Sequence, residues 1–312
     1  MATSNSVNYS TTRDGLIAFA LKKAGVVAKG AIPSAAQISD AAVELNLMVK
    51  AWQADGLQLW AKKLGYLFLQ KDVTKYTLGP GGSHTANSYV RTAVSAAASV
   101  GSVNISVDSI EGISDTNFVG IKLDDGSLFW STINGVPASG IITLAASVTA
   151  NVSEGAVVFV YSTKINRPLR ILSADVLDVF DTSIDITVQS LDEFWGLPTK
   201  TEEGKVTQVA FIPTLTTSEL YVWPQTQDVS DVIEFWYHRP FEDFDASSDE
   251  PDFPQEWYFA LGYNLALHLG VSYGTPAEML KNIAAIAVVE KDNAMTFDAE
   301  QSSVFFSPES QG

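Results

Sequence analysis

The sequence predicts an α+β fold: a helical bundle formed by the N- and C-terminal helices, with a long antiparallel β-rich excursion containing an inserted small β-sandwich or barrel. Three observations lead there. Apolar residues recur at helical spacing near the two ends of the 312 residues. Between them lie β-branched and aromatic runs broken by Gly, Pro and Asp turns. Inside that stretch, residues 85–163 form a separate block rich in Val, Ile, Ser, Thr and Ala. Amphipathic helices at both ends can bury their stripes against one another. The expected organisation is therefore 1–63 with 252–300 as a discontinuous bundle, 64–84 with 164–251 as a β-rich domain, 85–163 as an inserted β-domain and 301–312 as a tail.

The elements follow in order. Leu16, Ala20, Leu21 and Ala24 mark a first helix, with Gly25 as its stop. After Gly30-Ala31-Ile32-Pro33, Ser34 and Gln37 form a capping-box pattern. A second helix then carries Ile38, Ala42, Leu45, Met48, Val49 and Trp52 on one stripe and ends near Asp55-Gly56. Strands are expected at Gly65–Leu69 and Val73–Leu78, closed by the turn Gly79-Pro80-Gly81-Gly82. In the 85–163 block, Asp124-Asp125-Gly126 joins two strand runs and Asn134-Gly135 marks another turn. Residues 166–250 read as mostly strand, and Leu220–Pro224 and Val232–Pro240 look like paired strands, each ending at a proline. Pro254 suits a first helical position, and Trp257, Leu261, Leu265 and Leu269 give the next helix its apolar face, with Gly274 as stop. Thr275 to Glu278 read as a second capping box opening a last helix with Met279, Ile283, Ile286 and Ala287 as its core stripe.

Composition narrows the chemistry. There is no Cys, which excludes disulfides, thiol nucleophiles and zinc fingers. The three histidines, His84, His238 and His268, lack metal-helix spacing, and His268 falls on the apolar side of its helix. The Gly79–Gly82 run lacks the Lys-Ser and following helix of a phosphate loop. No catalytic residue, metal ligand or cofactor site is expected, and the chain reads as a non-enzyme. No apolar h-region follows Met1, and no run approaches the roughly 18 apolar residues of a membrane span. A protein made in the cytoplasm, without an export signal or a membrane partner, is the expectation.

Charge is the sharpest feature. The net charge is −17, unsuited to gripping phosphate. Residues 1–75 carry nine basic and five acidic side chains, with Lys22, Lys23, Lys29, Lys62 and Lys63 as a basic set; the remainder is strongly acidic. Seven acids and no base lie between Phe241 and Glu256. Six of them, Glu242, Asp243, Asp245, Asp249, Glu250 and Asp252, form a candidate acidic surface that repels phosphate. Val304-Phe305-Phe306, an apolar triplet in a polar tail, is a candidate docking anchor.

The order of motifs resembles the adaptor proteins of short-tailed bacteriophages, also called head-to-tail connectors, tail accessory factors or head completion proteins. The likeness is carried by Asp14–Gly25, by Ala42–Trp60, by the strand pair ending Tyr76–Pro80, and by Arg167-Pro168-Leu169-Arg170-Ile171. It continues through Val222-Trp223-Pro224, Tyr237–Phe244 and Asp252–Trp257. The 85–163 block departs from the smaller members and resembles β-insertions of larger relatives. The resemblance implies a structural protein of the virion neck or tail, assembled in the host cytoplasm, forming a ring typically of twelve copies under the portal. Implied partners are other copies of itself, the portal protein, tail nozzle or tail fibre proteins, and genomic DNA passing without specific binding. It also implies that the C-terminal segment, with Val304, Phe305 and Phe306, reaches the portal. Two rival classes are a carbohydrate-binding or adhesion module using Trp130, Trp195, Trp223 and Trp236, and a carboxylate-dependent wall hydrolase using pairs from 242–256. Those four Trp mostly lie in apolar strand runs, which favours core positions.

Overall fold

The structure, a computed structural model, describes residues 7–54 and 59–298. It is a mixed α+β protein. Among the described residues are five α-helices: α1 (Arg13–Lys23), α2 (Ala35–Trp52), α3 (Leu191–Gly196), α4 (Tyr258–Ser272) and α5 (Ala277–Phe297). Two compact units divide the chain, one from the described residues up to Ala61 and from Phe241 onward, the other Lys62–Pro240. Asp55 and Gly56, the expected end of the second helix, lie outside the described residues; α2 closes at Trp52.

In the first unit α1, α2, α4 and α5 share one buried core. Thr12 caps α1 through its Oγ1, which accepts from Gly15 N at 3.2 Å. Asp14 in the first turn and Lys22 and Lys23 in the last suit the helix dipole. The Ser34–Gln37 capping box of α2 is present in both directions, at 2.9 and 3.3 Å. Gly25 and Gly274 stand at φ +75° and +71°, left-handed positions just past α1 and α4 where a Cβ is disfavoured. The apolar α4 lies at the centre, burying Leu261, Leu265, Ala266 and Leu269.

Three expectations change here. Pro254 precedes a single 3-10 turn, Gln255–Trp257, rather than opening α4. Thr275 and Glu278 form no capping box. The Thr275 hydroxyl instead donates to Ala24 O at 2.7 Å, satisfying a carbonyl at the end of α1, and Pro276 takes the N-cap place of α5. Met279 and Ile286 are 36% and 38% exposed, because α5 buries a narrower stripe of Ile283, Ala287 and Ala294.

The second unit holds the strands β1 (Lys62–Phe68), β2 (Lys75–Leu78), β3 (Thr85–Ala86), β4 (Val90–Ala93), β5 (Asn104–Ser106), β6 (Phe118–Lys122) and β7 (Leu128–Thr132). It continues with β8 (Ile141–Thr143), β9 (Val157–Tyr161), β10 (Arg170–Leu177), β11 (Ser183–Gln189), β12 (Gln208–Pro213), β13 (Ser218–Trp223) and β14 (Val232–His238). Eight strands form one nearly closed sheet in the order β2-β13-β12-β11-β10-β14-β1-β3. Across its remaining opening, Ser83 N donates to Thr77 O at 2.7 Å. Its core gathers Leu67, Tyr76, Val176, Val209, Val222 and Phe235. All pairs are antiparallel except β11–β12, which are joined through α3. That helix starts on a Ser190–Glu193 capping box, inside a stretch read as strand from sequence.

β13 and β14 are not partners. The two edges of β13 are taken by β12 and β2, and those of β14 by β10 and β1. β3 pairs with β1, so the inserted module begins after Ala86 rather than at 85. That module combines a sheet β4-β9-β6-β7 with the pair β5-β8 over a core of Val119, Ile121, Ile142, Val158 and Val160. Its predicted Asp124–Gly126 turn joins β6 to β7.

Gly65 in β1 lies opposite Phe235, and a Cβ there would meet the fully buried Phe235 ring at 2.8 Å. Gly65→Ala should therefore overpack this core and cost about 1–3 kcal/mol, read as a lower urea midpoint; an unchanged midpoint would show that the ring has room to shift.

Candidate functional site

The acidic segment after β14 is a built strap across the helical unit. Its aromatic residues point inward: Phe241, Phe244 and Phe253 are buried in the helical core. The rings of Trp60 and Phe241 stack with centroids 4.7 Å apart, and Phe253 lies 4.9 Å from Trp60. This apolar anchoring is why the segment from Phe241 to Pro251, expected with the β-rich part, belongs to the helical unit.

Polar side chains of α1 and α2 then hold the strap's backbone. Asn46 accepts from Phe244 N at 2.9 Å and donates to Phe244 O at 3.2 Å. Gln53 Oε1 accepts from Phe241 N at 3.0 Å, and Lys50 Nζ donates to Phe241 O at 2.7 Å. Arg13 donates through its backbone to Asp249 O and through its guanidinium to Asp245 O. A groove of about 410 Å³ borders these contacts, lined by Arg13, Asp14, Ile38, Ala42, Val43 and Asn46.

The six candidate acids divide into two sets. Asp249 Oδ2 accepts from Asp245 N and Ala246 N at 2.8 and 2.6 Å, Asp252 Oδ2 accepts from Glu242 N at 3.0 Å, and Asp243 pairs with Lys50 at 2.6 Å. These three shape the strap. Glu242, Asp245 and Glu250 are exposed on it with no such role, and Asp243 is exposed as well despite its ion pair. The helical unit also presents exposed apolar side chains, Val43 and Leu47 on α2 and Val288, Val289 and Phe297 on α5. Val304, Phe305 and Phe306 lie outside the described residues.

The basic set does not act as one group. Lys22 and Lys29 are exposed in the helical unit, whereas Lys23 sits over the rings of Phe19 and Tyr263 at 5.1 and 5.3 Å. Lys62 and Lys63 begin β1 in the other unit. His268 is exposed, contrary to its expected apolar side, because Leu265 and Leu269 occupy the packed face of α4. His238 is buried at the end of β14, and burial with the nearby Lys62 and Arg170 charges holds its pKa below the ordinary value. Among the described residues no group of three or more His, Asp or Glu is placed to hold a metal ion, and no helix is long and apolar enough to cross a membrane.

Of the four Trp residues weighed as sugar platforms, two are exposed and two are half-buried. Trp195 on α3 is 53% exposed and Trp236 on β14 is 44% exposed, the latter because Phe235 and Tyr237 take the inward positions of that strand. Trp223 is half-buried, and its Nε1 donates to Thr199 O at 2.6 Å. Trp130 joins the inserted module to the large sheet. It stacks on His84 with centroids 3.8 Å apart and planes 3° from parallel, while His84 Nδ1 and Tyr161 Oη are 2.6 Å apart. Phe68, Phe118, Phe159 and Tyr161 complete this aromatic junction. Neither His84 nor Asn46 stood out in the sequence, since their partners are remote in the chain.

Set against known proteins, no family model and no curated protein matches the chain.

Burial, assisted by the Lys164 charge, lowers the His84 pKa to about 4. The unfolded chain takes up this proton near the ordinary value of about 6.5. Between those values the unfolded state binds more protons, so stability falls as pH falls. From pH 6.5 to 5 the loss expected from His84 is roughly 1 kcal/mol, allowing for its partial exposure. Urea melts should show a shallower pH slope for His84→Phe than for the wild type, with His238 contributing equally to both; identical slopes would contradict a neutral, buried His84.

Proposed function

We propose that the chain is a structural virion protein: a ring-forming adaptor that joins the portal of a short-tailed phage to its tail and extends the DNA channel. The observation that carries this reading is the ordered set of folding motifs together with a helical core made from both ends of the chain. In this reading the helices are the bundle, the large sheet is a barrel-like excursion from it, and the inserted module is an elaboration of the sheet. The protein resides in the virion neck or tail after assembly in the host cytoplasm. Its work is mechanical, and it has no catalytic residues.

A closed ring needs unlike surfaces on the two sides of each copy. The acid-rich strap and the exposed α2 and α5 apolar side chains are suited to such heterologous contacts. The strap also suits a channel surface. Its backbone is fixed by Asn46, Gln53 and Lys50, so Glu242, Asp245 and Glu250 are held on a rigid support. Carboxylates there repel phosphate and prevent the counterion-releasing contacts that would arrest a moving genome. Portal, tail nozzle or fibre proteins are the partners above and below, with Val304, Phe305 and Phe306 as the portal anchor.

Two outcomes test the proposal. Mixed with purified portal, the full chain should shift to one large species of fixed stoichiometry by mass photometry; separate peaks for portal and free chain would contradict it. Replacing Glu242, Asp245 and Glu250 together by Lys should leave folding intact, since all three are exposed, and slow DNA ejection several-fold at low salt. Unchanged ejection would remove the strap from the channel.

A further inference from the structure

A second site lies in the inserted module. Ser88, Tyr89 and Val90 at the start of β4, Val160 to Ser162 at the end of β9, and the loop at 112–117 enclose a cleft of about 310 Å³. That volume is at the lower end of the range for small-molecule sites, about 300–1,000 Å³. Its lining is unusual for this chain. Ser88, Ser114, Asn117 and Ser162 supply hydroxyls and an amide, half-buried Tyr89 supplies aromatic surface, Tyr161 backs the wall at only 3% exposed, and no Asp, Glu, Lys, Arg or His lines the cleft.

The walls are preorganised. Tyr161 is held by His84 at 2.6 Å and by stacking on Phe118. Tyr89 is wedged edge-on against Phe68, Tyr66 and Phe159. Asn117 Oδ1 accepts from Ser114 N at 2.8 Å, which fixes the loop and leaves the amide hydrogens for a ligand. Hydroxyls both donate and accept, and an amide donates. The Tyr89 ring beside such groups offers apolar area with no charge. A ligand matching this surface is neutral, rich in hydroxyls and has an apolar C–H face. Glu111 beside the loop and Asp115 within it are exposed acids, which disfavours an anion.

The geometry points to a binding cleft for a neutral saccharide, formed by Ser88, Tyr89, Ser114, Asn117 and Ser162 and backed by buried Tyr161. It is separate from the acidic strap and does not depend on the adaptor reading. It is also distinct from a Trp-based platform, since Trp195 and Trp236 do not line it.

The full chain applied to an array of neutral and acidic oligosaccharides should retain neutral glycans selectively. Calorimetry with the best of them should give an affinity that falls at least tenfold in Ser162→Trp, which fills the cleft, and several-fold in the smaller Ser88→Ala/Ser162→Ala double variant. Trp195→Ala should bind as the wild type does. Melting midpoints within a degree of wild type would show that the variants fold. The inference is overturned if no neutral glycan is retained, if acidic glycans are preferred, or if the folded double variant binds unchanged.

Discussion

The aromatic contact between the two ends of the chain sets everything else. Trp52 and Trp60 come from the N-terminal part; Phe241, Phe253 and Trp257 come from beyond the β-rich unit. Burying each such ring is worth about 1.5–3 kcal/mol, and none can be buried without the other end of the chain. The intervening 62–240 must therefore leave and return at one place. The large sheet meets that condition: β1 begins at Lys62 directly opposite His238, the last residue of β14. Entry and exit are neighbouring antiparallel strands, so a unit of this size can be carried between two halves of a helical core without disturbing it.

The strap turns the same constraint toward function. Apolar anchors at Phe241, Phe244 and Phe253 draw an acid-rich segment onto the helices, and Asn46, Gln53 and Lys50 pair its backbone groups. Asp249 and Asp252 accept from the segment's own backbone, Asp243 makes an exposed ion pair with Lys50, and Glu242, Asp245 and Glu250 face outward. Acidity here is both structural and superficial, which composition alone could not separate. A comparable division holds in the inserted module, where a dense aromatic junction fixes the module on the large sheet and an uncharged cleft lies beside it.

Much of the fold was legible in the sequence. The stripes of α1, α2 and α4, the Ser34 capping box and the Asp124–Gly126 turn depend on local spacing, and local spacing is what a sequence displays. What escaped depends on partners far along the chain. Thr275 faced a choice between Glu278 and the carbonyl of Ala24, which only the folded helices bring near. β13 and β14 were recognisable as strands, but their partners are set by sheet topology. The aromatic run Phe235-Trp236-Tyr237 hides a simple alternation that turns Trp236 outward. The Ser190-Leu191-Asp192-Glu193 signature of α3 is local, but it stands in a strand-rich context that masks it. As for the candidate site, the acids were visible as a cluster, but their division into structural and exposed sets was not. His84 gave no signal, because Trp130 and Tyr161 are remote from it in sequence.

The account stands on a helical core completed by both chain ends and independent of the unit between them. The most direct test joins Ala61 to Phe241 through a short Gly-Ser linker, omitting 62–240. The account predicts a soluble helical protein that melts cooperatively and keeps the near-ultraviolet dichroism of packed Trp52, Trp60 and Trp257. A helical but non-cooperative product, with that aromatic signal lost, would contradict it.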